Sequence, residues 1–150
     1  MTRLVILVGL QASGKTTFYT RHLAATHLHV SKDLWPRARH REARQRRAVA
    51  EGLAAGRSVA VDNTNASPEE RAGLVALGRA AAVPVVGYWF PPDPAGSLRR
   101  NAARPGRARV PEVGLFATLK RLRPPTFDEG FDELHEVRFD GAGDFTTTPL

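Results

Sequence analysis

The stretch Gly9-Leu10-Gln11-Ala12-Ser13-Gly14-Lys15-Thr16 brackets four residues between two glycines and follows them with a lysine and a hydroxyl. Glycine lets the backbone curl so that successive N–H groups point inward at an anion. A helix starting there adds its positive end. Lys15 then reaches the β and γ phosphates of a nucleoside triphosphate, and Thr16 offers its hydroxyl to Mg²⁺. The chain has 19 arginines but only three lysines, and one lysine stands at this position. A compact ammonium suits it better than a planar guanidinium. The motif reads as a phosphate loop that binds a nucleoside triphosphate through Gly9, Gln11, Ala12, Ser13, Gly14, Lys15, Thr16 and Thr17.

Three further groups have side chains fit for phosphoryl transfer. Asp33, in Ser31-Lys32-Asp33, is a carboxylate that takes the proton from an attacking hydroxyl if it faces the γ phosphate. Alone after a strand, an aspartate is more often a turn residue. Asp62-Asn63-Thr64-Asn65 puts an acid beside three neutral donors and acceptors; it is either turn chemistry or the wall of a site. Asp62 is the candidate for the outer water shell of Mg²⁺. The segment from Arg99 to Arg109, "RRNAARPGRAR", breaks short helical stretches with Pro and Gly, as mobile basic lids do. Between Arg37 and Arg47 lie six arginines and one glutamate. Some belong to solvated surface, and others lie close enough to Asp33 to meet an acceptor's phosphates.

The elements that must position these residues alternate in type. Leu4–Val8 reads as a buried parallel strand, and a helix runs from Lys15 to about Ala25. Short strands follow at His27–Val30 and Ser58–Val61, with a helix between them over 38–55 that stops at Gly56. Ser67 caps the next helix, with Pro68 in its first turn and Glu69 and Glu70 complementing the dipole. Val83–Phe90 is a further strand, Leu98–Ala103 and Val113–Leu122 are helices, and His135–Phe139 is the last strand. Such alternation predicts an α/β protein with a parallel sheet of about five strands and helices on both faces. The expected division is one domain over 1–140 with a helical lid over about 94–123, then a flexible tail over 141–150.

The 150 residues carry a net charge of +7, unevenly spread. Residues 1–127 hold 21 basic against 8 acidic side chains, while 128–150 hold one against 7. Part of the total is compositional bias toward arginine, but the placement favours polyanionic partners. No apolar run reaches the length of a membrane span, and the amino terminus lacks a signal-peptide cleavage site. The absence of cysteine excludes disulfides and thiolate metal sites and fits a cytoplasmic protein.

Taken in order, "GLQASGKTT", "VSKD", "VDNTN" with "SPEER", "RRNAAR" and "PPTFDEGFDEL" resemble the 5′-hydroxyl polynucleotide kinase family, the kinase modules of nucleic-acid end-repair enzymes. The likeness runs from about residue 3 to residue 139 and implies the P-loop kinase fold. It implies Asp33 as general base for the 5′-hydroxyl of DNA or RNA, Lys15 and the loop amides as the ATP cradle, and Thr16 on Mg²⁺. Arg104 would be the lid arginine on the donor phosphates, with Arg100 assisting. Arg37, or else Arg39 or Arg41, would grip the acceptor phosphate, with Asn63, Thr64 and Asn65 lining the acceptor side. Relatives are often fused to a phosphatase or ligase, so an end-repair partner of that kind is implied. No D-x-D-x-T phosphatase motif occurs here, and 3′ processing is not expected. Two rivals share the residues: a kinase of small-molecule hydroxyls, and a nucleotide-dependent module or switch with no acceptor. Trp35 fits either stacking on a base or partial burial.

Overall fold

Strand β1, Leu4–Val8, is buried along its whole length. Its side chains alternate between two cores, which is why no polar residue interrupts it. Leu4, Ile6 and Val8 face a core with Val49, Leu53, Leu74 and Leu115, whereas Val5 and Leu7 face Phe18, Leu23, Phe90 and Val137. The computed structural model describes residues 1–150 apart from the side chain of Arg107, so that residue's share of the basic lid segment lies outside the described residues.

Chain order continues with α1 (Lys15–Phe18), extended by a π-helical turn over Tyr19–Leu23, then β2 (His27–Val30) and α2 (Arg41–Ala54). Then come β3 (Ser58–Asp62), α3 (Pro68–Ala80) and β4 (Val85–Trp89). Helices α4 (Pro94–Ala102) and α5 (Glu112–Arg121) precede β5 (Glu133–Phe139) and β6 (Phe145–Pro149). Ser67 caps α3 as expected, its hydroxyl accepting from the Glu70 amide at 3.2 Å.

The sheet order is β2-β3-β1-β4-β5-β6, parallel except for the last pair. The sheet therefore has six strands rather than about five. Residues 141–150 are not a flexible tail: β6 pairs antiparallel with β5 from Phe139–Phe145 to His135–Pro149. The turn over 140–144 makes this hairpin local. It is anchored on the π-helical turn, where Arg21 donates to the Gly143 carbonyl and His22 meets Asp144 at 2.9 Å. The connections from β1 lead first to β2 and β3 on one side and then to β4 on the other. A crevice at the carboxyl ends of the strands where connections diverge is the usual ligand position in such sheets.

Candidate active site

The loop after β1 is built around two left-handed positions, Ala12 (φ 56°) and Gly14 (φ 96°). At Gly14 a Cβ would lie 3.0 Å from Phe139 and 3.1 Å from Phe145, so the β5–β6 hairpin presses against the loop. Gly9 has a different task from the one expected. Its amide donates to the Thr64 carbonyl at 3.0 Å, and a Cβ there would sit 2.8 Å from the Phe90 Cβ. It packs the base of the loop and is absent from the cavity wall.

Lys15 is folded back across the loop. Its Nζ donates to the Gly9 carbonyl at 2.9 Å, the Leu10 carbonyl at 2.6 Å and Ser13 Oγ at 3.3 Å. Burial pushes its ammonium down to about 8, with Asp62 and Asp33 opposing that shift and Arg104 adding to it. Those three charges therefore converge on the lysine.

Beside it, Thr16 Oγ1 donates to Asp62 Oδ2 at 2.7 Å, and His29 Nε2 lies 2.9 Å from the same oxygen. Burial drives the Asp62 carboxyl upward, but the His29 and Thr16 hydrogen bonds and the Lys15 charge outweigh it and hold it below its ordinary value. It stays ionised. A threonine hydroxyl and one carboxylate form an all-oxygen donor set that suits Mg²⁺, which keeps several waters and leans on substrate phosphates. Among the described residues no cluster of three or more His, Asp or Glu side chains gathers to cage a metal. The residues present fit Mg²⁺ held with nucleotide.

Asp33 lies exposed in a short 3₁₀ turn, Lys32–Leu34, after β2. Two side chains set the pose of that turn. Ser31 Oγ accepts from the Asp33 amide at 3.2 Å, and Asn63 Oδ1 accepts from the Lys32 amide at 3.0 Å. Asn63 Nδ2 in turn donates to Gln45 Oε1 on α2 at 2.5 Å. Parallel pairing of β2 with β3 brings the two strand ends together. Asn63 is thus committed to holding the Asp33 turn rather than offered to an acceptor.

Asn65 is also spent on the protein. It is buried with φ 45°, and its Nδ2 donates to the Leu7 carbonyl at 2.8 Å. Its own carbonyl accepts at 2.8 Å from Arg71, a fully buried guanidinium. Arg71 makes a bidentate pair with Glu129 (2.7 and 3.0 Å) and a bond to the Arg123 carbonyl at 3.1 Å. Arg71 closes the stretch "SPEER", but its burial follows from partners 52 and 58 residues away.

The lid is strapped to the loop at two points. Arg100 Nε donates to the Ala12 carbonyl at 2.6 Å, and Gln11 Nε2 donates to Thr118 Oγ1 at 2.8 Å. Arg100 does not line the large cavity. Its guanidinium lies 4.9 Å from the Phe139 ring centre, in a side pocket with Ser13, Phe90 and Phe145. Asn101 clamps the lid internally by exchanging two bonds with Val110, at 2.6 and 2.8 Å.

One cavity of about 1060 Å³ joins these parts. Lys15, Thr16, Thr17, Asp33, Asp62, Asn63, Thr64 and Arg104 all line it, as do Gln11, Ala12, Ser13, Gly14 and Asn65. Of the acceptor arginines expected, Arg41 lines it and Arg37 does not. Pro36 still lines the cavity, but Arg37 after it is exposed outside the lining. Arg46 of α2, a member of the arginine run expected near Asp33, and Arg121 of α5, which no motif marks, also line the cavity. Their positions depend on helix packing rather than on any motif. Trp35 is half-buried against the larger core with Arg44 over its ring at 4.6 Å, so its ring is not presented to a base.

A family model described as AAA domain matches residues 4–125. The bifunctional polynucleotide phosphatase/kinase of Schizosaccharomyces pombe is 25% identical over 149 residues, 97% of this chain and 36% of that protein. The chain thus spans about a third of the length of that curated relative. A fungal RNA kinase structure superposes with a TM-score of 0.71 at 13% identity, covering 93% of this chain and 76% of that one. A sugar kinase from Janibacter sp. HTCC2649 gives 0.67 at 19% identity, covering 91% and 86%. These likenesses show a kinase fold built on a phosphate loop.

Proposed function

The chain belongs to the AAA domain family and has the fold of a P-loop kinase, and from that premise we propose that it transfers the γ-phosphate of ATP to the 5′-hydroxyl end of DNA or RNA. The observation that carries this reading is Asp33, exposed in the cavity that Lys15 and Arg104 also line, with a basic wall behind it from Arg41 and Arg46. The likeness to a polynucleotide phosphatase/kinase supports the choice of acceptor.

In the proposed reaction Asp33 accepts the proton of the 5′-hydroxyl as its oxygen attacks the γ phosphorus. The bond from that phosphorus to the bridging oxygen of the β phosphate breaks, and ADP leaves. Lys15 gives up its bonds to the loop carbonyls and donates to the β and γ oxygens instead, while Arg104 closes on the transferring group. Thr16, with Asp62 through the metal's water shell, would hold Mg²⁺, which would offset charge on the phosphate oxygens. Exact placement of the hydroxyl matters most, since aligned reactants account for much of such a rate enhancement. Asn63 provides that alignment through the Asp33 turn. A ligase or phosphatase of the same repair reaction is the partner this chemistry implies.

The test is label transfer from γ-labelled ATP with Mg²⁺ to 5′-hydroxyl oligonucleotides of DNA and RNA, with sugars and gluconate alongside. Transfer to an oligonucleotide end, abolished in Asp33→Asn, supports the proposal. Transfer confined to a small-molecule hydroxyl would replace it with the rival kinase reading.

A further inference from the structure

The basic residues of α2 do not all point into the cavity. Arg41 lines its wall, and Arg44 and Arg47 follow at three-residue steps on the same helix, all three exposed. A rise of about 1.5 Å per residue spreads them over about 9 Å. Phosphates of one strand rise roughly 3.4 Å each along a duplex axis and lie farther apart in an extended strand, so that distance spans about two phosphates.

Glu42 is the acid within this group, and it is occupied by Lys32 at 2.5 Å and Arg46 at 3.3 Å. Among the described residues Arg44 and Arg47 have no carboxylate partner. Arg44 is nevertheless held in place, its guanidinium stacked over Trp35, whose ring is itself packed on the core. A cation fixed by an aromatic face and left without an acid loses little freedom when it meets an anion. Trp35 is two residues from Asp33, so this fixed cation stands beside the site.

The fold also settles the direction of the field. Helix α2 packs on β2 and β3 at one side of the sheet, while Glu133, Glu136, Asp140 and Asp144 of the acid-rich segment lie in the β5–β6 hairpin at the other edge. The acidic segment therefore does not cover the arginines. A polyanion is drawn to the α2 side and repelled from the β6 side.

We propose that Arg44 and Arg47 bind the backbone phosphates of the acceptor strand inward from its terminal nucleotide, so that a polymer is preferred to a mononucleotide. This rests on the 5′-end reading above.

The test combines binding and kinetics. Fluorescence anisotropy with labelled 5′-hydroxyl oligonucleotides of two, four and eight residues is read across a salt series, for the wild type, Arg44→Ala/Arg47→Ala and Arg44→Lys/Arg47→Lys. Affinity is expected to tighten up to about four nucleotides, where the ridge is filled. The alanine pair should weaken eightmer binding about tenfold and reduce the log–log salt slope by about 1.4, or 0.7 per phosphate, with the lysine pair retaining the slope. Thermal melts confirm that these exposed substitutions leave the fold intact. Unchanged affinity and slope in the alanine pair overturn the proposal, as does equal KM for a 3′-phosphorylated nucleoside and the eightmer; label transfer in those cases leaves the 5′-end reading standing. Length- and salt-dependent binding that the alanine pair loses, without transfer to any 5′ end, supports the ridge and overturns the 5′-end reading instead.

Discussion

Arg71 and Glu129 meet as a buried bidentate pair, 58 residues apart in the chain, and Arg71 also donates to the backbone carbonyl of Asn65 beside the cavity. The Glu129 carboxylate is engaged further by the Thr126 amide at 2.8 Å. One guanidinium so ties α3, the segment after α5 and the loop after β3 into a single unit. Breaking such a pair leaves an uncompensated buried charge. Glu129→Leu should therefore cost about 3–5 kcal/mol, whereas Arg71→Met/Glu129→Leu together should recover much of that loss. Urea denaturation of both variants and the wild type measures it; equal stability of single and double variants would contradict the account.

Asp33→Asn preserves the shape of the turn but removes the base. Transfer should fall by about 10²–10⁴-fold, while ATP binding, read by calorimetry, stays near wild type. A matching loss of ATP affinity would place Asp33 on the donor side instead.

Asn63→Ala should act on kcat through geometry rather than on nucleotide affinity. It strips the Lys32 backbone amide of its acceptor and the Gln45 side-chain oxygen of its donor at once. The loss is about 1–3 kcal/mol of local order, which is about a tenfold drop in rate if the Asp33 turn loosens. Asn63→Asp retains an acceptor for the Lys32 amide and should rescue part of the rate, which is not expected of a residue that merely fills space.

Lys15 links nucleotide binding to pH. With the free ammonium lowered to about 8, a phosphate partner that restores its charge must draw a proton from solvent. At pH 8.5, calorimetry in buffers of different ionisation enthalpy should show net proton uptake on nucleotide binding, and ATP affinity should fall as pH rises above about 8. The sign for stability is opposite. Between about 8 and the ordinary 10.5 the unfolded chain binds more protons at this group than the folded one, so its contribution to stability rises with pH across that window.

The carboxy-terminal hairpin offers a test of the corrected tail. Phe145 stacks on Phe139 with ring centres 5.1 Å apart and meets Phe18 edge-on at 5.5 Å. Phe145→Ala should cost about 2–3 kcal/mol, in proportion to its partial burial, and lower Tm by several degrees. A flexible segment would show no change.

The phosphate loop, the β2 boundaries at His27–Val30 and the Ser67 cap were legible because each is a local matter. Glycine placement, strand length and a hydroxyl three residues before a free amide act within a few residues of themselves. The same locality limited the reading elsewhere. Arg37 and Arg41 look alike in the sequence, and only the path of the chain around Pro36 and the packing of α2 put Arg41 in the cavity. Asn63 and Asn65 read as an acceptor wall; both line the cavity, but the parallel register of β1, β2 and β3 also engages their amides in hydrogen bonds to the protein.

The sequence by itself determined that a phosphate loop follows β1, and that acids and arginines stand at the ends of the following strands. Tertiary structure alone decided which of them face the same cavity. Sheet order and long-range pairing place side chains that no spacing along the chain brings together, such as Arg71 on Glu129 or Gln11 on Thr118. They also separated the basic face of α2 from the acidic edge at β6, a division of charge that the chain order states only as two ends of a line.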